Sequence, residues 1–144
     1  GRYNTMQWLG RGPHESYSDR KWGAIVGVYE GKVKDLIHHY SYPQENGNRT
    51  DVRWVKFTDD DGVGLKACGM PLLNASAWPY TQEALEEATH TYELDYTEDI
   101  TVNLDHKQMG VGGDNSWGAL PHTEFRLPAQ PYSYTFTLAP TGTD

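Results

Sequence analysis

The amino-acid sequence predicts one all-β unit, antiparallel and with one short helix, over residues 1–144. Several short segments alternate apolar and polar residues between turn-forming residues, which is typical of strands with one buried face. No segment repeats the strand-then-helix order of parallel folds, so neither a Rossmann domain nor a (β/α)8 barrel fits within these residues. A chain of 144 residues is long enough to bury a hydrophobic core.

The first strand signal is a hairpin. Val52 to Thr58 is rich in β-branched and aromatic residues, and a second apolar run extends from Val63 to Cys68. The sequence Asp59-Asp60-Asp61-Gly62 separates the two runs, which predicts a turn between antiparallel strands. This acidic run lacks the alternating ligands and the distal Glu of an EF-hand, so we interpret it as a solvated turn rather than a calcium loop.

One segment predicts a helix. Thr81 is suited to cap its N-terminus, and Glu83 lies in the first turn, near the positive end of the helix dipole. Tyr80 and Leu85 have the spacing of a hydrophobic staple. The pattern ends near Thr89, so we expect the helix to be short.

Three further segments in the second half of the chain carry strand signals. Tyr92 and Leu94 begin an alternating run, and Ile100 to Leu104 alternates apolar with polar residues. The clearest signal is Tyr132 to Leu138, where aromatic and aliphatic residues occupy every second position. These segments complete the prediction of an antiparallel all-β unit.

Composition and charge exclude several classes of partner. The formal net charge is -8, and no cluster of Lys and Arg is present to neutralise phosphates, which argues against nucleic acid. No apolar run approaches the length of a transmembrane helix, so no membrane partner is predicted. Cys68 is the only cysteine, which excludes an internal disulfide. The chain begins at Gly1 rather than at methionine, which is typical of a piece of a longer protein, and the N-terminus does not indicate a compartment.

The glycine-rich stretch Gly110 to Gly118 (GVGGDNSWG) is the first candidate site. It has neither a Walker lysine nor the strand-to-helix context of a phosphate loop, so we interpret it as a tight loop with a Trp near its end. Trp117 is either a core anchor or an exposed platform for a sugar, because an indole face packs well on the C–H face of a pyranose.

Two other polar stretches contain the carboxylates of interest. Gly12 to Arg20 includes Glu15, and Pro43 to Thr50 includes Glu45. Glu15 and Glu45 could serve as the acid and the base of a glycosidase. Their spacing does not place them together, and we favour the interpretation that they make hydrogen bonds at turns and strand ends. His38 and His39 are adjacent in a predicted strand, which points their rings to opposite faces and argues against a shared metal. We therefore predict no catalytic residue and no metal ligand in this chain.

Three motifs together resemble a known family. Met6 to Glu15, Pro43 to Trp54 (PQENGNRTDVRW) and Met109 to Gly118 (MGVGGDNSWG) are similar, in order and spacing, to the C-terminal domain of the large lacZ-type β-galactosidases of glycoside hydrolase family 2. The resemblance covers nearly the whole chain. It implies an antiparallel β-sandwich, specifically the second half of a supersandwich similar to galactose mutarotases, as the final domain of a multidomain enzyme.

The resemblance also implies where the chemistry lies. The two catalytic glutamates of a retaining mechanism and the magnesium ligands belong to a (β/α)8 barrel that this chain does not contain, so no cofactor is expected here. Trp117 matches the residue by which the final domain contacts the sugar. With Asp114 and Asn115 in the same loop, it forms the predicted substrate-binding set. The expected partners are galactosides, the remaining domains of the parent enzyme and further copies in a homo-oligomer.

Two alternative functions remain at this stage. One is a stand-alone carbohydrate-binding module, which would bind galactosides as an isolated chain. The other is a mutarotase-like epimerase, which needs His and Glu side chains that converge on the concave face. The candidates for that convergence are His14, His106, His122, Glu15 and Glu45.

Overall fold

The computed structural model describes residues 2–142, and within them six strands form one antiparallel sheet. The strands are β1 (Thr5–Gly12), β2 (Ile25–Lys32), β3 (Arg49–Thr58), β4 (Gly64–Trp78), β5 (Thr101–Asp105) and β6 (Thr135–Thr141). The helix α1 spans Gln82–Glu87, and 3-10 turns lie at Val33–Asp35, Thr91–Glu93 and Thr123–Phe125. The prediction of an antiparallel all-β fold with one short helix is confirmed.

The long strand β4 organises the sheet. The strand order is β2-β1-β3-β4-β5, and β6 also pairs with β4. The first half of β4 pairs with β6, from Gly64 opposite Thr141 to Met70 opposite Thr135, and its second half pairs with β5. Pro71, which has no N–H to donate, lies between the two paired halves. One strand therefore holds both β5 and β6 on the same edge.

The main core lies on one face of the sheet, where β1 alternates buried with half-buried residues. Trp8 is fully buried at its centre and donates its Nε1–H to the carbonyl of Arg11 at 2.9 Å. The guanidinium of Arg49 lies over the Trp8 ring, 5.0 Å from its centroid. The other fully or nearly fully buried members are Met6, Val33, Val52, Val55, Phe57, Ala67, Leu73, Ala75 and Ala77.

The predicted hairpin is present between β3 and β4. The carboxylate of Asp59 accepts hydrogen bonds from the N–H groups of Asp61 at 3.1 Å and Val63 at 2.9 Å, which closes the turn. Gly62 adopts a φ of 80°, a conformation that favours glycine. The acidic run is therefore a structural turn, as the sequence predicts.

The helix also forms as predicted. The hydroxyl of Thr81 accepts a hydrogen bond from the N–H of Ala84 at 3.1 Å, which is the N-cap contact. Tyr80 and Leu85 are buried with Trp78 in a second apolar cluster. The helix ends at Glu87, slightly before the expected Thr89.

Two local predictions are wrong. The run that begins at Tyr92 is a 3-10 turn rather than a strand, because the Glu93 carboxylate accepts hydrogen bonds from the N–H groups of Thr89 at 2.7 Å and His90 at 3.1 Å. His38 and His39 lie outside any strand, since the N–H of His38 donates to the side chain of Asn46 at 2.9 Å instead of to a sheet neighbour.

One apolar face of the sheet is left exposed. Apolar side chains alternate along the end of the chain, and those of Phe136 and Leu138 are between about a third and two thirds exposed. With Leu65, Val102 and Pro140 they line a groove of about 610 Å³. A single sheet with such a face is one layer of a sandwich. None of the helices among residues 2–142 has the length and apolar character needed to span a membrane.

Candidate functional site

The glycine-rich segment 110–118, called the Trp loop below, lies between β5 and β6. Trp117 is 84% exposed there, so it is not a core anchor within this chain. The loop nevertheless has fixed contacts at its tip and at its stem. An indole that projects from a fixed loop offers an apolar face to a ligand without disturbing the sheet.

At the tip, Asn115 shapes the turn that carries Trp117. Its Oδ1 accepts hydrogen bonds from the backbone N–H groups of Trp117 at 3.1 Å and Ala119 at 3.2 Å. Gly118 adopts a φ of 111°, which favours glycine. A Cβ at Gly113 would lie 2.2 Å from the carbonyl oxygen of Ala119, so the turn closes only around glycine.

A hydrogen bond between two side chains spans the loop beside this turn. Oδ1 of Asp114 lies 2.8 Å from Nε2 of His122, which precedes the 3-10 turn Thr123–Phe125. The hydrogen bond and the charge of Asp114 raise the pKa of His122. In this chain Asp114 and Asn115 therefore both organise the loop, and Trp117 is the group that it presents to solvent.

At the stem, backbone N–H groups are bound from two sides. Gly110 donates to the carbonyl of Phe125 at 2.7 Å. Val111 and Gly112 donate to the two carboxylate oxygens of Asp19, at 3.1 and 2.8 Å. The stem is thus fastened to the segment that follows it and to a turn near the start of the chain.

Glu15 is held as an ionised acceptor. It accepts hydrogen bonds from the hydroxyls of Tyr40 and Tyr17 and, at 2.8 Å, from the N–H of Gly47. Partial burial acts to raise the pKa of Glu15, but these hydrogen bonds outweigh it and the pKa is lowered. Glu45 is exposed. Glu15 therefore makes the kind of hydrogen bonds at a turn that the sequence analysis favours.

Pro43 to Thr50 is a largely buried polar segment rather than a surface turn. The side chain of Asn46 accepts from the N–H of His38 at 2.9 Å and donates to the hydroxyl of Tyr80 at 2.9 Å. The backbone carbonyl of Asn46 accepts from Trp78 Nε1 at 2.8 Å. Desolvation lowers the pKa of Arg49, the buried neighbour of Trp8, to about 10. Because the residues of this segment are mostly polar, the sequence does not predict that the segment is buried.

The structure brings the three recognised motifs together. Glu15 accepts from Gly47, and the N–H of Ser16 donates to the carbonyl of Asn48 at 2.7 Å, which joins the first motif to the second. Asp19 lies four residues after the first motif, in the polar stretch Gly12 to Arg20, and its contact with the N–H groups of the Trp loop joins that stretch to the third motif. Sequence reasoning did not single out Asp19.

The His and Glu candidates for an epimerase do not form hydrogen-bonded pairs among residues 2–142. His106 stacks on Tyr134 with ring centroids 5.4 Å apart, and His122 pairs with Asp114. Glu15 is bound by two tyrosines, as described above. Over the same described range, no group of three or more His, Cys, Asp or Glu side chains is placed to hold a metal ion.

Comparison with known proteins identifies the family of this chain. The model of the β-galactosidase small chain matches residues 1–138. A β-galactosidase of Priestia megaterium is 45% identical over 139 residues, which are 96% of this chain and 13% of that protein. A β-galactosidase of Halalkalibacterium halodurans is 43% identical, over 94% of this chain and 14% of that protein. One of Lactobacillus delbrueckii subsp. bulgaricus is 47% identical, over 86% of this chain and 12% of that protein.

These alignments cover most of the chain and only a small part of each relative. The chain spans 12–14% of the length of these curated β-galactosidases. The family match extends over β1 to β5, the Trp loop and the first part of β6, so it includes every element of the candidate site. The chain belongs to the β-galactosidase small-chain family.

Proposed function

We propose that this chain is the C-terminal part of a large bacterial β-galactosidase and that it completes the sugar site with the Trp loop. The parent enzyme hydrolyses terminal non-reducing β-D-galactosyl residues by a retaining mechanism. Its two catalytic glutamates and its magnesium ligands lie in a barrel outside these residues. The observation that carries the proposal is the exposure of Trp117 on a fixed loop in a chain of this family.

The physical basis is the chemistry of an exposed indole. A pyranose has an apolar C–H face that packs on the indole, and its hydroxyls need hydrogen-bonding groups close by. Asp114 and Asn115 are adjacent in the loop and carry such groups. From the apolar area that a Trp covers and the usual strength of aromatic contacts, the indole contributes roughly 1–3 kcal/mol to sugar binding.

The proposal includes the partners of the chain. Residues 1–144 form one unit that is the second half of the parent's final domain, and its exposed apolar face packs against the remaining part of the parent. The parent is a homo-oligomer and binds galactosides. A half-exposed apolar face on β4, β5 and β6 supports the first of these partners, because faces of this kind normally pack against another layer.

The test is Trp117→Ala in the full-length enzyme, with Trp22→Ala as the matched control. Trp22 is also exposed, at 82%, but it lies outside the Trp loop. Trp117→Ala should raise KM for galactosides by roughly 5- to 150-fold, the equivalent of 1–3 kcal/mol, and should leave the melting temperature nearly unchanged. If the indole binds the transition state more tightly than the ground state, kcat falls as well.

Trp117→Phe should have a smaller effect, since a smaller ring keeps part of the stacking surface. Trp22→Ala should change neither constant. The proposal is wrong if Trp117→Ala leaves KM and kcat unchanged while the melting temperature falls sharply, because that pattern belongs to a packing residue.

A further inference from the structure

We propose that Asp19 is the positioning residue for Trp117: its carboxylate binds the stem of the Trp loop and thereby sets where the indole meets the sugar. This inference rests on the proposed function, because it assigns a role in the same site. Asp19 lies in the first polar stretch of the chain, and nothing about its local sequence connects it with the loop.

The contact is a two-point clamp. Oδ1 of Asp19 accepts from the N–H of Val111 at 3.1 Å, and Oδ2 accepts from the N–H of Gly112 at 2.8 Å. The partners are 92 and 93 residues away in sequence, so the clamp joins two distant parts of the chain. Hydrogen bonds to an ionised carboxylate are stronger than those between neutral groups, and two of them fix orientation as well as distance.

The stem glycines make room for this carboxylate. A Cβ at Gly110 would lie 2.6 Å from Oδ2 of Asp19 and 2.8 Å from Cβ of Phe125. A Cβ at Gly112 would lie 3.3 Å from the same carboxylate oxygen. The glycines at these positions therefore permit Asp19 to approach the backbone, which accounts for part of the glycine content of the loop.

Asp19 is itself held on a rigid support. It lies in a tight turn that is closed by two backbone hydrogen bonds, from Tyr17 N–H to the Arg20 carbonyl at 3.3 Å and from Arg20 N–H to the Tyr17 carbonyl at 2.9 Å. The residue before this turn, Ser16, is buried and bound to Asn48 and Thr50. Through Asp19, the loop is therefore held in a fixed position relative to the buried polar network beside the sheet.

Trp117 depends on such a clamp because its own side chain is not packed. The indole is 84% exposed, and its backbone N–H is bound only within the loop, by Asn115. The position of the indole relative to the sheet therefore depends on the contacts that hold the stem of the loop. Loss of the carboxylate should leave the indole present but displaced or mobile, and a displaced binding group weakens substrate binding.

The experiment is a double-mutant cycle in the full-length enzyme with Asp19→Ala, Trp117→Ala and the double variant. We expect Asp19→Ala to raise KM for galactosides roughly tenfold, in line with the loss of a charged hydrogen-bonding partner, and to have no further effect when Trp117 is already Ala. Asp19→Asn, which keeps one acceptor oxygen, should have a smaller effect. Asp61→Asn, at an exposed carboxylate in the β3–β4 turn, is the matched control and should change nothing.

Gly110→Ala tests the same contact without removing a charge. The new methyl group would lie 2.6 Å from the Asp19 carboxylate and 2.8 Å from Cβ of Phe125, so it shifts the stem away from Asp19. This variant should raise KM in the same direction and should also lose its effect in the Trp117→Ala background. Melting temperatures of all variants show whether a change in KM arises from unfolding. If Asp19→Ala does not fold, Asp19→Asn and Gly110→Ala replace it in the double-mutant cycle with Trp117→Ala.

The outcomes separate the two proposals. If Trp117→Ala raises KM and the variants at Asp19 and Gly110 do not, the positioning role is wrong and the proposed function stands. An effect of Asp19→Ala that persists undiminished in the Trp117→Ala background also overturns the positioning role, since Asp19 then acts elsewhere. If Trp117→Ala itself has no effect on KM or kcat, the proposed function fails and the positioning role fails with it.

Discussion

Oδ1 of Asp114 and Nε2 of His122 lie 2.8 Å apart, beside the turn that presents Trp117. The contact is at the surface, and both side chains are exposed. Its strength depends on the protonation of one partner. The hydrogen bond to Asp114 raises the pKa of His122, so this pair is sensitive to pH.

We predict that Asp114→Asn lowers the pKa of His122. With a raised pKa, the stabilising effect of the pair is fully present below the ordinary histidine pKa and is lost as the pH rises through the raised value. An NMR titration of the His122 ring protons in the chain and in the variant measures the difference. The resonances of His106, which stacks on Tyr134, serve as the internal control. A His122 pKa that is the same in both proteins would contradict the pairing.

We predict that the isolated chain does not hydrolyse galactosides. A retaining glycosidase needs two carboxyl groups about 5 Å apart, one of which must act as an acid. Glu15 accepts three hydrogen bonds and its pKa is lowered, so it is a poor proton donor. The measurement is turnover of a chromogenic galactoside by a rigorously purified sample. Turnover that disappears in Glu15→Gln or Glu45→Gln would overturn this prediction.

The isolated chain is also expected to self-associate. Leu65 and Leu138 are more than half exposed in the groove on β4, β5 and β6, and exposed apolar faces and strand edges recruit other chains. Leu138→Lys should shift the population toward monomer in light scattering, whereas Trp22→Lys should not, because Trp22 lies outside the groove. A monodisperse monomer of the unmodified chain at high concentration would show that the face does not drive association.

Asn46 should be important for stability. Its buried side chain accepts a hydrogen bond from the N–H of His38 and donates one to the buried hydroxyl of Tyr80. Asn46→Ala leaves the Tyr80 hydroxyl without this buried partner, which costs about 1–3 kcal/mol. Urea denaturation should therefore show a clear fall in the free energy of unfolding. Gln44→Ala, at an exposed neighbour, should change it by no more than about 0.5 kcal/mol. Equal effects of the two substitutions would contradict the role of Asn46.

Local patterns were sufficient for β3, the first part of β4, β5 and part of β6, whereas no strand was predicted at β1 or β2. The hairpin around Asp59, the strand Thr101–Asp105 and the cap at Thr81 all follow from alternation, turn residues and capping chemistry. The second half of β4 was missed, because Ala75, Ser76 and Ala77 have no apolar alternation and are buried by tertiary packing.

The last strand shows a different limit. The aromatic alternation indicated a start at Tyr132, but β6 begins at Thr135. Its first residue pairs with Met70, and the next residue of β4 is Pro71, which has no N–H to extend that pairing. The boundary is therefore set by the partner strand, and the sequence of β6 does not contain it.

For the candidate site, motif resemblance located the Trp loop but not its support. The contact between Asp19 and Gly112 joins residues 93 positions apart, and such a contact has no local signature. The burial of Asn46 likewise depends on Tyr80 and Trp78, which come from another part of the chain. Sequence reasoning found the residue that is presented, while its positioning arises from long-range contacts.

The common edge of β4 also bears on how such a site can change. Because β5 and β6 pair with the same strand, residues 106–134 leave the sheet and return to it at neighbouring points. The two ends are fastened to each other, since the hydroxyl of Tyr134 donates to the carbonyl of Leu104 at 2.9 Å. The length and sequence of this connecting segment can therefore vary while the strand pairing of the sheet stays the same. If the Trp loop completes the sugar site as we propose, substitutions within residues 106–134 can alter sugar binding without any repacking of the core around Trp8.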